Sequence, residues 1–72
     1  MLKFDTKKLR GRIKEVYGNE SCFSKDMGWS HTTQSSKLNG ISYFNQYEIF
    51  KAAKLLGIND SSIYPYFFTL QV

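Results

Sequence analysis

A chain of 72 residues with a net charge of +4 and 42% hydrophobic side chains can form one small domain but not two. It contains no apolar run near the roughly 20 residues that cross a bilayer, and no charged segment followed by an apolar leader, so we expect a cytoplasmic protein outside the membrane. One cysteine and one histidine exclude an internal disulfide and a zinc site within the chain.

Enzyme chemistry is not indicated by the sequence. It holds no pair of carboxylates spaced for catalysis, no nucleophile with an evident base, and no glycine-rich phosphate loop. We therefore predict that the protein is not an enzyme and that it has no catalytic residues, no metal site, no cofactor and no small-molecule ligand.

The first predicted helix ends near Tyr17 and carries most of the positive charge. Leu9, Ile13 and Val16 recur at helical spacing, which predicts one buried stripe. Residues 1–14 hold six basic side chains against one acid, a charge of +5, whereas the rest of the chain carries −1. A basic segment of this kind is typical of proteins attracted to phosphate, although a solvated helix face has the same composition.

The stretch at residues 20–40 predicts two short helices joined by a tight turn. Phe23 and Met27 share one face of the first helix, and Gly28 stands where a left-handed residue would end it. Ser30 follows at the N-cap position of a second helix, whose other side chains are mostly small and polar. Such a polar helix is stable only when neighbouring elements hold it.

This pattern is typical of a DNA-binding helix-turn-helix, in which the second helix presents polar side chains to base edges in the major groove. A solvated loop rich in serine and threonine is the alternative interpretation of the same residues. The glycine stop, the serine cap and the flanking helices favour the helix-turn-helix.

Beyond residue 40, a connector with two aromatic residues leads to a predicted helix at residues 46–56. Asn45 and Glu48 have capping-box spacing at its start. Its predicted inner face consists of Ile49, Phe50, Ala53 and Leu56. A last helix of one or two turns, partly 3₁₀, is expected from residue 60 because Pro65 limits it. The apolar end at residues 66–72 is expected either to cover its own core or to meet a second subunit.

Four motifs follow one another along the chain: LRGRI at residues 9–13, KLNG at 37–40, AAKLLGI at 52–58 and YFF at 66–68. Their order and spacing resemble the Cro/repressor-type (lambda repressor-like) helix-turn-helix family, in particular its small phage-encoded repressor-like members. The resemblance implies an all-α, compact five-helix domain that spans residues 1–72, with the helix-turn-helix at about 20–39. It also implies a sequence-specific transcriptional regulator of double-stranded DNA, a Cro-like phage or prophage repressor that binds its operator as a dimer.

Positions within that fold assign the expected contacts. The predicted contacts to DNA bases are Ser30, His31, Thr32, Thr33, Ser35 and Ser36. The predicted contacts to DNA phosphates are Lys14, Ser21, Lys37, Asn39, Ser42 and Tyr43. The predicted homodimer interface, chosen for its apolar character alone, is Ile63, Tyr64, Tyr66, Phe67, Phe68 and Leu70.

Three residues depart from the pattern of that family. Leu38 stands where some relatives have a Glu that pairs with a buried Arg, so no such pair is expected. Many relatives carry Gln where Glu20 stands, and that side chain often touches a phosphate, which an acid would repel. Gln34 stands where family members usually have an apolar residue, four before Leu38, so the inner face of the second helix is more polar than usual.

The alternative hypothesis is a protein-interaction module on the same fold, such as an antirepressor or an antitoxin-like adaptor. It predicts weak, non-specific DNA binding and a tight protein partner at the aromatic C-terminal tail. Glu20 and the near-neutral helix-turn-helix favour it, whereas the basic first helix favours DNA. A purely structural helical bundle would leave the polar helix unexplained.

Overall fold

Residues 3–71, described here from a computed structural model, fold into five α-helices and one short 3₁₀ turn. The helices are α1 (Lys7–Tyr17), α2 (Glu20–Met27), α3 (His31–Leu38), α4 (Gln46–Leu56) and α5 (Ile63–Phe67), with the 3₁₀ turn at Asp60–Ser62. The predicted all-α, five-helix fold is confirmed. Met1, Leu2 and Val72, which the sequence assigns to the domain and its C-terminal tail, lie outside the described residues. Within residues 3–71, no helix has the length and apolar character needed to cross a membrane.

Side-chain caps set the start of three helices. Asn19 accepts a hydrogen bond from the Cys22 backbone N–H, and Asn45 forms a complete capping box with Glu48. Helix α1 begins differently, because the Thr6 hydroxyl makes no cap and instead donates to the Leu38 carbonyl at 2.6 Å. That bond fixes the start of α1 against the end of α3.

The core lies where α1, α2, α3 and α4 meet. Its largest fully buried side chains are Phe23, Leu9, Ile13, Leu38 and Leu56. The prediction of a core position is wrong for two residues: Val16 is 44% exposed and Phe50 is 58% exposed. Successive helical residues are about 100° apart. Phe50 therefore turns away from the side that Ile49 occupies, and Ala52 is buried instead.

A series of five aromatic rings runs through the domain from α1 to α5. Tyr17, Phe23, Trp29, Phe44 and Phe67 contact one another edge to face, with neighbouring ring centroids 5.5–5.8 Å apart. Each such pair stabilises the fold by about 0.5–1.5 kcal/mol beyond the contribution from burying its rings. The series links α1, α2, the segments that precede α3 and α4, and α5.

The last helix is short and partly 3₁₀, as predicted, and its geometry explains how Pro65 is accommodated. The 3₁₀ turn ends at Ser62 and α5 starts at Ile63, so the proline falls in the first turn of α5, where no backbone N–H partner is needed. The tail then returns along the N-terminal segment: the Asp5 N–H donates to the Thr69 carbonyl at 2.7 Å, and an isolated antiparallel bridge joins Phe4 to Leu70. The described part of the tail therefore packs against its own chain.

Candidate functional site

Helices α2 and α3 are joined by a three-residue turn, as the sequence predicts. Gly28 adopts φ +78°, a left-handed value that favours glycine, and thereby ends α2. The Trp29 N–H donates to the Ser24 carbonyl at 2.9 Å, which closes the turn. Ser30 then caps α3 by accepting from the Thr33 N–H at 3.2 Å. Local signals in the sequence are sufficient to place this turn.

The side chains predicted to contact DNA bases do not all face solvent. Exposed are Ser30, His31, Thr32 and Ser35, and half-buried are Thr33 and Ser36. The Ser30 hydroxyl is occupied by the cap and also donates to the Thr33 hydroxyl at 3.1 Å. The Ser35 hydroxyl accepts from the Asn39 side-chain amide at 3.1 Å. His31 and Thr32 are thus the exposed members of this set that take no part in the hydrogen bonds of Ser30 and Ser35.

Lys37, predicted to contact a DNA phosphate, instead belongs to an internal ion pair. Its ammonium donates to a Glu48 carboxylate oxygen at 2.8 Å and to the Tyr43 carbonyl at 2.7 Å. The Lys37 and Glu48 side chains are only 15% and 14% exposed. The phosphate assignment of Lys37 is corrected, because its charge is neutralised inside the domain and ties α3 to α4.

The Glu48 carboxylate accepts three hydrogen bonds, each from a different part of the chain. Besides Lys37, the Trp29 indole N–H donates to its carboxylate at 3.1 Å and the Asn45 backbone N–H donates at 2.9 Å. Partial burial alone would raise the pKa of Glu48, but the hydrogen bonds from Lys37, Asn45 and Trp29, with the Lys37 charge, outweigh burial and hold this pKa below its ordinary value. The carboxylate is therefore a structural anion at neutral pH.

A second ion pair joins Arg10 on α1 to Glu20 on α2 and compensates the Arg10 charge, although its side chain remains 39% exposed. Its guanidinium donates to both Glu20 carboxylate oxygens, at 2.8 and 3.2 Å, and also to the Leu38 carbonyl and the Asn39 side-chain oxygen. The hydrogen bond to Glu20 raises the pKa of Arg10 above its ordinary value. Asn39, another predicted phosphate contact, is exposed, and its side chain links Arg10 to Ser35, so its contact with phosphate stays a prediction.

The remaining predicted phosphate contacts divide between two places. Lys14 and Ser21 are exposed and line an open polar groove between α1, α2 and α3, with Gln34 and Glu20 beside them. Ser42 is half-buried, and the Tyr43 ring lies edge-on to Phe4 at 5.7 Å. The structure therefore brings Lys14 and Ser21 together but places an acid in the same groove.

The predicted dimer interface is divided between core and surface. Phe67 is 7% exposed and packs on Phe44, which corrects its assignment to an interface. Ile63 and Tyr66 are half-buried against the core. Tyr64, Phe68 and Leu70 are exposed. A dimer formed through those three stays a prediction.

Sequence reasoning missed one surface, which we call the α4 outer face and define as Tyr47, Phe50, Lys51 and Lys54. Tyr47 and Phe50 are 67% and 58% exposed, and the Lys54 ammonium lies 5.4 Å from the centre of the Phe50 ring. Phe50, Lys51 and Lys54 follow Tyr47 by three, four and seven residues, which places all four side chains on one face of the helix. The signal was present in the sequence, but Phe50 was assigned to the opposite, apolar side.

The described part of the chain contains no cluster of side chains suited to a metal ion. Residues 3–71 bring together no group of three or more His, Cys, Asp or Glu side chains. Cys22 is an exposed free thiol on α2.

The family to which the sequence belongs is shown by comparison with known proteins. A profile of a family described as a protein of unknown function, DUF739, matches residues 2–70. The chain belongs to this family. A solved relative is the modulator of repression (MOR) of the temperate bacteriophage TP901-1 from Lactococcus lactis, which is 38% identical over 92% of this chain and 89% of that chain, with a TM-score of 0.79. No curated protein matches the chain.

The similarity to MOR overturns the leading functional prediction. A Cro-like repressor that recognises its own operator was expected, whereas the solved relative is named as a modulator of repression rather than as a repressor. The alternative hypothesis, an interaction module on the same fold, agrees better with this relative. The phage character and the all-α fold are supported, and the resemblance to the Cro/repressor family stays a prediction.

The Arg10–Glu20 pair predicts how DNA affinity can be altered. Replacing Glu20 with Gln is expected to strengthen binding to random duplex DNA several-fold at low salt, because Arg10 is released near Lys14 and an acid leaves the groove. The salt dependence should steepen by about one unit, as for one added phosphate contact. Fluorescence anisotropy across a salt series measures both quantities.

The matched control for this variant is Glu15→Gln, which removes the same charge from an exposed pair with Arg12 on another side of α1. A net-charge effect alone would change both variants equally. Equal salt slopes for the two variants would therefore contradict a specific role of Glu20 in the groove.

Proposed function

We propose that this protein is a protein-interaction module of a temperate phage or prophage that modulates repression by binding a repressor protein in the cytoplasm. The observation that carries the proposal is the 38% identity to MOR over nearly the whole chain, on the same fold. Modulation of repression requires a contact that changes what a repressor does. A small helical domain can supply that contact without operator recognition of its own.

The chemistry around α2 and α3 supports this proposal. Two cations near the helix-turn-helix, Arg10 and Lys37, are held by the internal carboxylates Glu20 and Glu48. Helix α3 itself carries no arginine, the side chain that most often reads guanine. We infer that the domain retains only the weak, non-specific attraction to DNA that its exposed lysines provide, with a dissociation constant on the order of 10⁻⁴–10⁻⁶ M at physiological salt.

The test uses the purified chain with the purified repressor encoded in the same phage or prophage genome. We expect a discrete complex in sedimentation velocity, and a change in the repressor's occupancy of its operator when the chain is added. The control is the chain alone with the operator and with a random duplex of equal length. Nanomolar preference of the chain alone for the operator, or the absence of any complex with the repressor, would contradict the proposal.

A further inference from the structure

The α4 outer face is an aromatic and basic surface that the fold leaves without a covering element in residues 3–71. Tyr47 and Phe50 are each more than half exposed, at 67% and 58%. Charged and apolar groups alternate on it, since Lys51 and Lys54 lie on the same side of the helix. Tyrosine and phenylalanine are enriched in the cores of protein interfaces, where their rings act as anchors, and charged side chains belong to the polar rim around them.

The face is presented rigidly. Helix α4 starts at a complete capping box between Asn45 and Glu48, and it ends at Gly57 in the left-handed conformation. Its inner side is buried through Ala52, Ala53 and Leu56. A fixed helix loses little conformational entropy when a partner binds, so exposed anchors on it contribute more of their contact energy to affinity.

The charge on the face identifies the chemistry of its partner. Glu48, the one carboxylate within α4, turns inward to Lys37 and Trp29 and leaves the outer face without an acid of its own helix. The three ion pairs among residues 3–71 involve Arg10, Arg12 and Lys37, so neither Lys51 nor Lys54 is paired. A second copy of the chain docked on this face would bring four lysines together, which like-charge repulsion disfavours.

We propose that the α4 outer face docks an acidic amphipathic helix of the partner protein, an inference that rests on the proposed repressor-binding function. Tyr47 and Phe50 receive the apolar side of that helix, while Lys51 and Lys54 pair with carboxylates along its edge. The face is about two helical turns long, roughly 10 Å from residue 47 to residue 54 at 1.5 Å per residue. The bound segment therefore carries apolar residues three or four apart, with acids beside them.

The experiment measures affinity for the repressor encoded in the same genome by isothermal calorimetry, with helicity checked by circular dichroism. Phe50→Ala is expected to weaken binding at least tenfold, and Lys51→Glu/Lys54→Glu is expected to weaken it by a similar factor, most strongly at low salt. The matched controls are Ile41→Ala, an apolar residue in the connector before α4 with the same 58% exposure as Phe50, and Lys7→Glu/Lys25→Glu, an equal change of charge on exposed lysines elsewhere. Both controls should bind within about threefold of the unmodified chain.

The outcomes separate this inference from the proposed function. If the unmodified chain binds the repressor and the α4 variants bind equally well, the docking face is wrong while the function stands. If the unmodified chain does not bind, the function fails and the docking face fails with it. If Lys51→Glu/Lys54→Glu weakens DNA binding but leaves repressor binding unchanged, the face binds DNA phosphates. If Phe50→Ala converts a dimer of the chain into a monomer, the face is a self-association surface. Either result would overturn the proposal.

Discussion

Replacing Glu48 with alanine is expected to lower the free energy of unfolding by about 3 kcal/mol, the largest effect of any charged residue in the domain. The change leaves the Lys37 ammonium, which is 15% exposed, without its counter-charge, and it removes an acceptor from Trp29 and half of the α4 capping box. An uncompensated buried charge costs about 3–5 kcal/mol, and partial exposure places this case at the lower end. Chemical denaturation followed by circular dichroism measures the change.

Two variants test the cause of that loss. Glu15→Ala breaks the exposed pair with Arg12 and should cost under about 0.5 kcal/mol, as surface pairs do. Lys37→Met combined with Glu48→Ala should recover part of the stability, because no unpaired ammonium remains. If Glu48→Ala were no more destabilising than Glu15→Ala, the internal network would have no structural importance.

The same carboxylate predicts a dependence of stability on pH. The pKa of Glu48 is lower in the folded state than its ordinary value of about 4.3, so its contribution is present above that pH. It is lost as the pH falls through the lower, folded-state pKa, because the carboxylate is then protonated in both states. The unmodified chain should therefore lose more stability than Glu48→Gln as the pH falls below the ordinary pKa of a glutamate, about 4.3.

The second large effect distinguishes two neighbouring phenylalanines. Phe67→Ala is expected to lower the free energy of unfolding by about 3–4 kcal/mol, because its ring is 7% exposed and fills the core beside Phe44. Phe68→Ala should cost about 1 kcal/mol, because that ring is 37% exposed and only flanks Phe4 and Tyr64. Thermal unfolding should separate the two by roughly 10 °C or more, since 1 kcal/mol shifts the midpoint of a domain this size by about 4–8 °C.

Phe68→Ala is the matched control for Phe67→Ala, with the same deletion one residue along the chain. If both rings lay in a dimer interface, both variants would lower the sedimentation coefficient of the dimer without changing the free energy of unfolding of the monomer. A Phe67→Ala variant as stable as the unmodified chain would show that this ring is not part of the core.

The sequence could predict the helices, caps and turns because these depend on neighbouring residues. Asn45 with Glu48 three positions later was sufficient to indicate the start of α4, and the structure shows the complete capping box. Gly28 and Ser30 similarly located the turn between α2 and α3. Hydrophobic periodicity identified most of the core but failed for Val16 and Phe50, which lie at the edge of their apolar stripes.

The candidate site was predicted less well because it depends on which charges meet. Helical spacing placed Lys37 on the flank of α3, but it gave no indication that Glu48, eleven residues away, would bind its ammonium. Arg10 and Glu20 are ten residues apart on different helices, and their pairing places an acid in the groove beside Lys14. Because of these two ion pairs, the surface near α3 has few cations that are free to contact DNA phosphates.

The sequence by itself determined the all-α architecture, the ends of the helices and the overall positive charge, because backbone hydrogen bonding and capping are local and composition is fixed. Only the tertiary structure decided that Phe67 belongs to the core while Phe50 faces solvent, and that Lys37 and Arg10 pair with carboxylates while Lys51 and Lys54 do not. Burial and ion pairing depend on contacts between side chains from separate elements, and their energies are set by how far each charge is removed from water.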